Sequence, residues 1–218
     1  MCLILLAWQL KDAHPLVVAA NRDEFHARPA APAAFWEDLP GILAGRDLEA
    51  GGTWMGVSRS GKFAAVTNYR GAREARAAES RGALVTRFLE NGQAAAEYMN
   101  VVSRAANQYS GFNLLVSYGN ELWWMSNRGG EPRRLEPGIY GLGNTLLDAP
   151  EVEAQKQRFA GALDTSLALE PLFSVLAEAR IVNPVYGTRC ATVMMGKRYA
   201  ERSFSADGAE QETLQYQF

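Results

Sequence analysis

Two cysteines and two histidines are all that this chain of 218 residues offers of the side chains that hold transition metals most readily. Without a CxxC or HExxH pattern, His14 and His26 predict no metal site, and Cys2 and Cys190 predict no disulfide framework. No apolar run approaches the ~18–20 residues that cross a bilayer. The first ten residues also lack the basic start and small-residue cleavage site of a signal peptide. The expectation is a cytoplasmic protein with no membrane span, whose cysteines stay reduced. An excess of one charge is missing too: 22 basic residues stand against 24 acidic ones, so nothing marks a nucleic-acid partner. What the chain does have is 48% hydrophobic residues at a length suited to one sizeable core, which predicts a single domain over residues 1–218.

Residues 2–10 and 15–20 are apolar runs joined by "KDAH", which predicts an antiparallel hairpin. "AANRDEF" follows, and its four consecutive polar residues suggest that the chain turns there. "RPAAPAAFWEDLPG" reads as an ordered surface excursion, because Pro and Ala recur in it without helical period. "GGTWMGVS" and "KFAAVTNY" predict a strand pair turned at "RSGK", and the charged "RGAREARAAESRG" reads as a solvated loop or a lid. From residue 82 to 107 the period changes: Leu84, Phe88 and Leu89, then Tyr98, Met99 and Val102, predict two helices broken at "NGQ". Strands are expected again at "GFNLLVSY", "ELWWMSN" and "GIYGLGN", helices over 151–163 and 169–180, and strands at "YGTRCATVMMG", "RYAERSF" and "ETLQYQF". Blocks of strand and blocks of helix, rather than strict alternation, predict an α+β protein with mainly antiparallel sheets.

Several of these segments carry residues suited to acyl chemistry. Thiolate is the strongest nucleophile among side chains near neutral pH, and loss of Met1 would set the α-amine of Cys2 beside its own sulfur. With a reference pKa near ~8, that amine can serve as base, so one residue would supply both nucleophile and proton acceptor. Arg22, Asp23 and Glu24 could orient the amine and sulfur by charge-assisted hydrogen bonds. "VTNYR" and "GLGNT" place Asn68 and Asn144 at strand ends, where a side-chain amide can donate to a developing oxyanion. Arg189 stands in an otherwise apolar strand and should face a carboxylate or a substrate anion. Asn21, Trp54 and Tyr69 lie in the same motifs and are the candidate substrate contacts.

Met1-Cys2, "ANRDEF" followed by "RP" and "FW", "GRDLEAGGTWMGVSRSGKFAAVTNYR", "SRG", "GFNLLV", "SNRGG" and "YGTR" together resemble the NRDE family. That family is also called the Transport and Golgi Organisation 2 family, and the resemblance runs from Met1 to about Phe204. It implies an N-terminal-nucleophile-hydrolase-like fold, a four-layer αββα sandwich. A more distant similarity, to choloylglycine hydrolases and penicillin V acylases, implies roles for single residues. Cys2 would be nucleophile after loss of Met1, Asp23 or Glu24 would hold its amine, and Asn68 and Asn144 would serve the oxyanion. Arg189 matches that group's late arginine and Arg22 its early one. The chain departs from its family at "GLGNTLLDAPEVEAQKQRF", where a Ser is expected before Asn144 and a Trp-Pro-Lys shortly after Asp148.

The resemblance implies two functions. One is hydrolysis of a linear C–N amide through an acyl-enzyme on Cys2, with no cofactor required. The alternative is a non-catalytic haem-binding or haem-trafficking protein, or an acyl-lipid or acyl-coenzyme A binder, on the same fold; Cys2, His14, His26 and the methionines are the available haem ligand types. In both, the partner is a small molecule.

Overall fold

In the computed structural model, which describes residues 2–71, 78–165 and 168–218, strands occupy most of the first third of the chain. They are β1 (Leu3–Trp8), β2 (Leu16–Phe25), β3 (Ala30–Phe35), β4 (Ile42–Asp47), β5 (Met55–Ser58) and β6 (Phe63–Asn68). Helices α1 (Arg81–Glu90) and α2 (Ala95–Arg104) follow, then β7 (Phe112–Tyr118), β8 (Glu121–Ser126), β9 (Arg133–Arg134) and β10 (Gly138–Leu142). The chain continues as α3 (Glu153–Thr165), α4 (Leu169–Ala177), β11 (Tyr186–Met195), β12 (Arg198–Phe204) and β13 (Glu210–Gln217). Met1 and residues 72–77 of the charged stretch read as a lid lie outside the described residues.

The described residues group into two compact units. In the first, a six-stranded antiparallel sheet runs β10-β1-β2-β11-β12-β13. Alternation along its strands turns Leu3, Leu5, Ala7, Val17, Ala19, Ala191 and Val193 toward α3 and α4, where they meet Phe159, Leu172, Phe173 and Leu176. Burying each such Leu or Phe stabilises the unit by about 1.5–3 kcal/mol. The intervening residues Ile4, Leu6, Val18 and Ala20 are buried as well, so these strands read as continuous apolar runs.

The second unit is a meander of seven antiparallel strands, β3 to β9 in order, with α1 and α2 inserted between β6 and β7. The apolar positions expected from the helical period, Leu84, Phe88, Leu89, Tyr98, Met99 and Val102, all lie in this unit's core. The break at "NGQ" is held by a buried cation: Lys62 Nζ donates to the carbonyls of Phe88, Asn91 and Gln93 at 3.1, 2.6 and 2.9 Å, capping the C-terminus of α1.

Two expectations are corrected. "NRDEF" is not a turn, because β2 continues through Phe25 with β11 pairing it as far as Tyr186↔Phe25. "APAAF" is not an excursion but the edge strand β3, where the ladder irregularity between Ala31 and Ala34 accommodates Pro32. Among the described residues, no helix is long and apolar enough to cross a membrane.

Candidate functional site

Cys2 sits one residue before β1, half-buried, and its thiol takes up the next hydrogen-bonding position along β2. The Asp23 backbone N–H donates to Cys2 Sγ at 3.4 Å, and the thiol donates to the Asp23 carbonyl at the same distance. Burial pushes the Cys2 thiol above its ordinary value, and the Asp23 carboxylate adds to this; the Asp23 N–H and the Arg22 guanidinium pull the other way. The net direction is upward, so the resting sulfur is a protonated thiol that needs a base.

Around it, β2 and β11 supply a polar cluster. The Asp23 carboxylate accepts from Thr188 Oγ1 at 2.6 Å, and Thr188 in turn accepts from the Ile181 N–H at 2.9 Å. The buried Arg22 lies 3.8 Å from Glu24, across the sheet from the helices. Tyr186 Oη donates to the Asp23 carbonyl at 3.2 Å, the oxygen the thiol also uses, and burial and Cys2 itself push that phenol upward. Gly187 keeps this corner closed, since a Cβ there would stand 2.8 Å from the Ile181 carbonyl. Tyr186 and Thr188 were not among the sequence candidates. Their signal was the "YGTR" segment, from which only Arg189 was taken as a site candidate; strand alternation opposite "NRDEF" would have picked out both.

Two further candidates lie in this unit. Asn21 is buried on the helix side, its Nδ2 donating to the Leu176 carbonyl of α4 at 2.9 Å, so it ties strand to helix rather than contacting a substrate at Cys2. Arg189 is the extra residue of a β-bulge, between the pairs Thr188↔Asp23 and Cys190↔Arg22. Its Nη1 donates to three backbone carbonyls, of Phe25, His26 and Arg28, at 3.0, 3.3 and 3.1 Å, and no carboxylate pairs with it among the described residues. The guanidinium is half-buried there with the two N–H groups of Nη1 shared among these carbonyls of the turn after β2.

The remaining candidates lie in the second unit. Asn144 Nδ2 donates to the Asn68 carbonyl at 2.8 Å, and its own carbonyl accepts from the Arg70 N–H at 2.5 Å. The structure thus brings these two asparagines together through one side chain and one backbone. The Asn68 carboxamide is exposed and makes no hydrogen bond among the described residues, so both its N–H groups are available to a ligand. Tyr69 is fixed by its N–H to the Gly111 carbonyl at 2.9 Å. Trp54 is half-buried against Gly45, where any Cβ would collide with its ring. Among the described residues no group of three or more His, Cys, Asp or Glu is placed to hold a metal ion.

The family model described as Transport and Golgi organisation 2 matches residues 1–184. A mouse (Mus musculus) Transport and Golgi organization 2 homolog is 41% identical over 184 residues, covering 78% of this chain and 67% of its own. The human (Homo sapiens) homolog is 34% identical over 272 residues, covering 100% of this chain and 99% of its own. Among solved structures, a Caenorhabditis elegans ortholog of N-acylethanolamine-hydrolyzing acid amidase superposes with a TM-score of 0.59 at 14% identity, over 88% of this chain and 92% of that one. A mutant conjugated bile acid hydrolase from Clostridium perfringens gives 0.60 at 12% identity, over 100% and 97%. These likenesses show the fold: α+β and N-terminal-nucleophile-hydrolase-like, as the sequence resemblance implied.

Proposed function

Because this chain belongs to the Transport and Golgi organisation 2 family, we propose that it uses the hydrolase-like fold as a hydrolase, cleaving a linear C–N amide through an acyl-enzyme on Cys2. The observation that carries this reading is the two-way hydrogen bond between Cys2 Sγ and the Asp23 backbone. It aims a half-buried thiol from a fixed point and holds an N–H ready for the thiolate. The names of the two solved neighbours describe hydrolysis, of N-acylethanolamines by an amidase in one and of conjugated bile acids in the other.

Burial keeps the thiol protonated, so attack is base-assisted. The base is the α-amine that loss of Met1 would free, and its proton then passes to the leaving amine. Sulfur bonds to the carbonyl carbon, the C–N bond breaks, and water releases the acid. As an exposed carboxamide whose N–H groups make no hydrogen bond among the described residues, Asn68 has the chemistry of an oxyanion donor.

The test compares the chain with Cys2→Ala on a panel of aliphatic and aromatic acyl p-nitroanilides, after intact mass has established whether one methionine is missing. Release of p-nitroaniline that vanishes in the variant supports the reading. Equal release by both proteins overturns it.

A further inference from the structure

A cavity of about 70 Å³ opens in the first unit where the end of α4 meets β11, β12 and the start of β13. None of the groups placed around Cys2 lines it. Its walls are apolar: Phe173 and Ala177 from α4, Ala191 from β11 and Phe204 from β12, all buried except Ala177 at the mouth. Two guanidiniums lie over these walls, Arg202 on the Phe173 ring and Arg180 on the Phe204 ring, with Cζ 4.3 and 4.4 Å from the centroids. We propose that this cavity binds a short aliphatic carboxylate, its chain against the two phenylalanines and its charge on Arg180.

The two cations differ in what already compensates them. Arg202 is committed: Nε pairs with Glu210 at 2.9 Å and Nη2 with Glu170 at 2.7 Å, and Nε also donates to Thr213. Arg180 pairs with no carboxylate among the described residues. Its guanidinium makes one hydrogen bond there, from Nη1 to the Gly208 carbonyl at 3.1 Å, and its buried Nε has no partner. A guanidinium partly withdrawn from water with its charge unmatched favours an anion beside it. Stacking on Phe204 and the bond to Gly208 already hold its plane, so little ordering is left to be done on binding.

Size and charge narrow the anion. A water takes up roughly 10–15 Å³ of such space, so the cavity admits on the order of five heavy atoms. The exposed Glu210 carboxylate at its edge opposes a second negative charge, which favours a monoanion over phosphate. Phosphate would also set oxygens against Phe173, Phe204 and Ala191, which offer no side-chain donor, whereas an alkyl chain removes apolar surface from water there.

The experiment titrates sodium propionate into the whole chain, labelled with ¹⁵N, at constant ionic strength, and follows the backbone amides and the Arg180 Nε–H by NMR. The parent should show a saturable shift centred on Ala177, Arg180 and Ala191. Arg180→Met removes the charge and keeps an apolar stem; Ala177→Leu narrows the cavity and leaves every charge in place. Each should bind propionate about tenfold more weakly or not at all, and sodium phosphate should compete poorly. Shifts that do not saturate, binding that survives either variant in its folded form, or phosphate that displaces propionate at equal concentration overturns the proposal. Should Arg180→Met fail to fold, the location of the shift in the parent and its loss in Ala177→Leu decide. The reading of Cys2 stands or falls separately, since none of these outcomes bears on it.

Discussion

Cys2 Sγ and the backbone of Asp23 are bonded in both directions, each contact 3.4 Å long. The sulfur is therefore fixed by backbone rather than by a rotamer alone. The arrangement costs little while the thiol is neutral and keeps one favourable donor when it ionises.

The first prediction concerns pH. The folded value of the Cys2 thiol lies above its unfolded one, chiefly through burial. The neutral thiol thus contributes stability that is fully present below the unfolded value and is lost as pH rises through the folded one. Measured by alkylation, Cys2 in a chain that retains Met1 should still be gaining reactivity at a pH where the same peptide, unfolded in urea, has levelled off. A folded profile superimposing on the unfolded one would contradict this.

The second separates two neighbours in β2 that face opposite ways. Asn21 holds the Leu176 carbonyl of α4, so Asn21→Leu should destabilise the protein by about 1–3 kcal/mol and leave Cys2 alkylation unchanged. Arg22 favours the Cys2 thiolate, so Arg22→Met should slow alkylation at fixed pH. Thermal melts paired with labelling rates check both; the converse pattern would reverse the face assignment.

Arg189 gives the third. Its guanidinium closes the turn after β2 by bonding three carbonyls, and Arg189→Met should cost about 3 kcal/mol. For a chain of this length that lowers Tm by about 6–12 °C. Calorimetry on the variant is the measurement. A melt unchanged beside lost turnover would instead assign Arg189 to the substrate.

How much of this was legible depended on whether the signal was local. The α1 and α2 core positions Leu84, Phe88, Tyr98 and Met99 follow from period alone, because each helix buries one stripe. The extension of β2 through Arg22, Asp23 and Glu24 was not legible, since what keeps those polar residues in a strand is β11, more than 160 residues away. Pro32 obscured β3 for a similar reason: an edge strand tolerates what a central one does not. Of the candidates, Cys2, Arg22, Asp23 and Glu24 are brought together in one unit, while Asn21 of the same run turns to the helix side. The partners of Arg189 were missed because backbone carbonyls leave no mark in a sequence. Tyr186 was missed because its contact depends on the register between β2 and β11.

The fourth prediction takes Asn68 as an oxyanion donor. Asn68→Ala should lower kcat by about 10²–10³-fold with little change in KM, since a donor to developing charge acts in the transition state. Steady-state kinetics on the best p-nitroanilide decide it, and a change confined to KM would make Asn68 a binding residue instead.

The central claim is that Cys2 becomes acylated during turnover. Intact mass spectrometry of the protein, quenched in acid during reaction with the best acyl p-nitroanilide, followed by peptide mapping, tests it most directly. The account predicts a mass gain of one acyl group carried by Cys2 and absent from Cys2→Ala; an acyl group mapped to any other residue, or turnover that survives in Cys2→Ala, would contradict it.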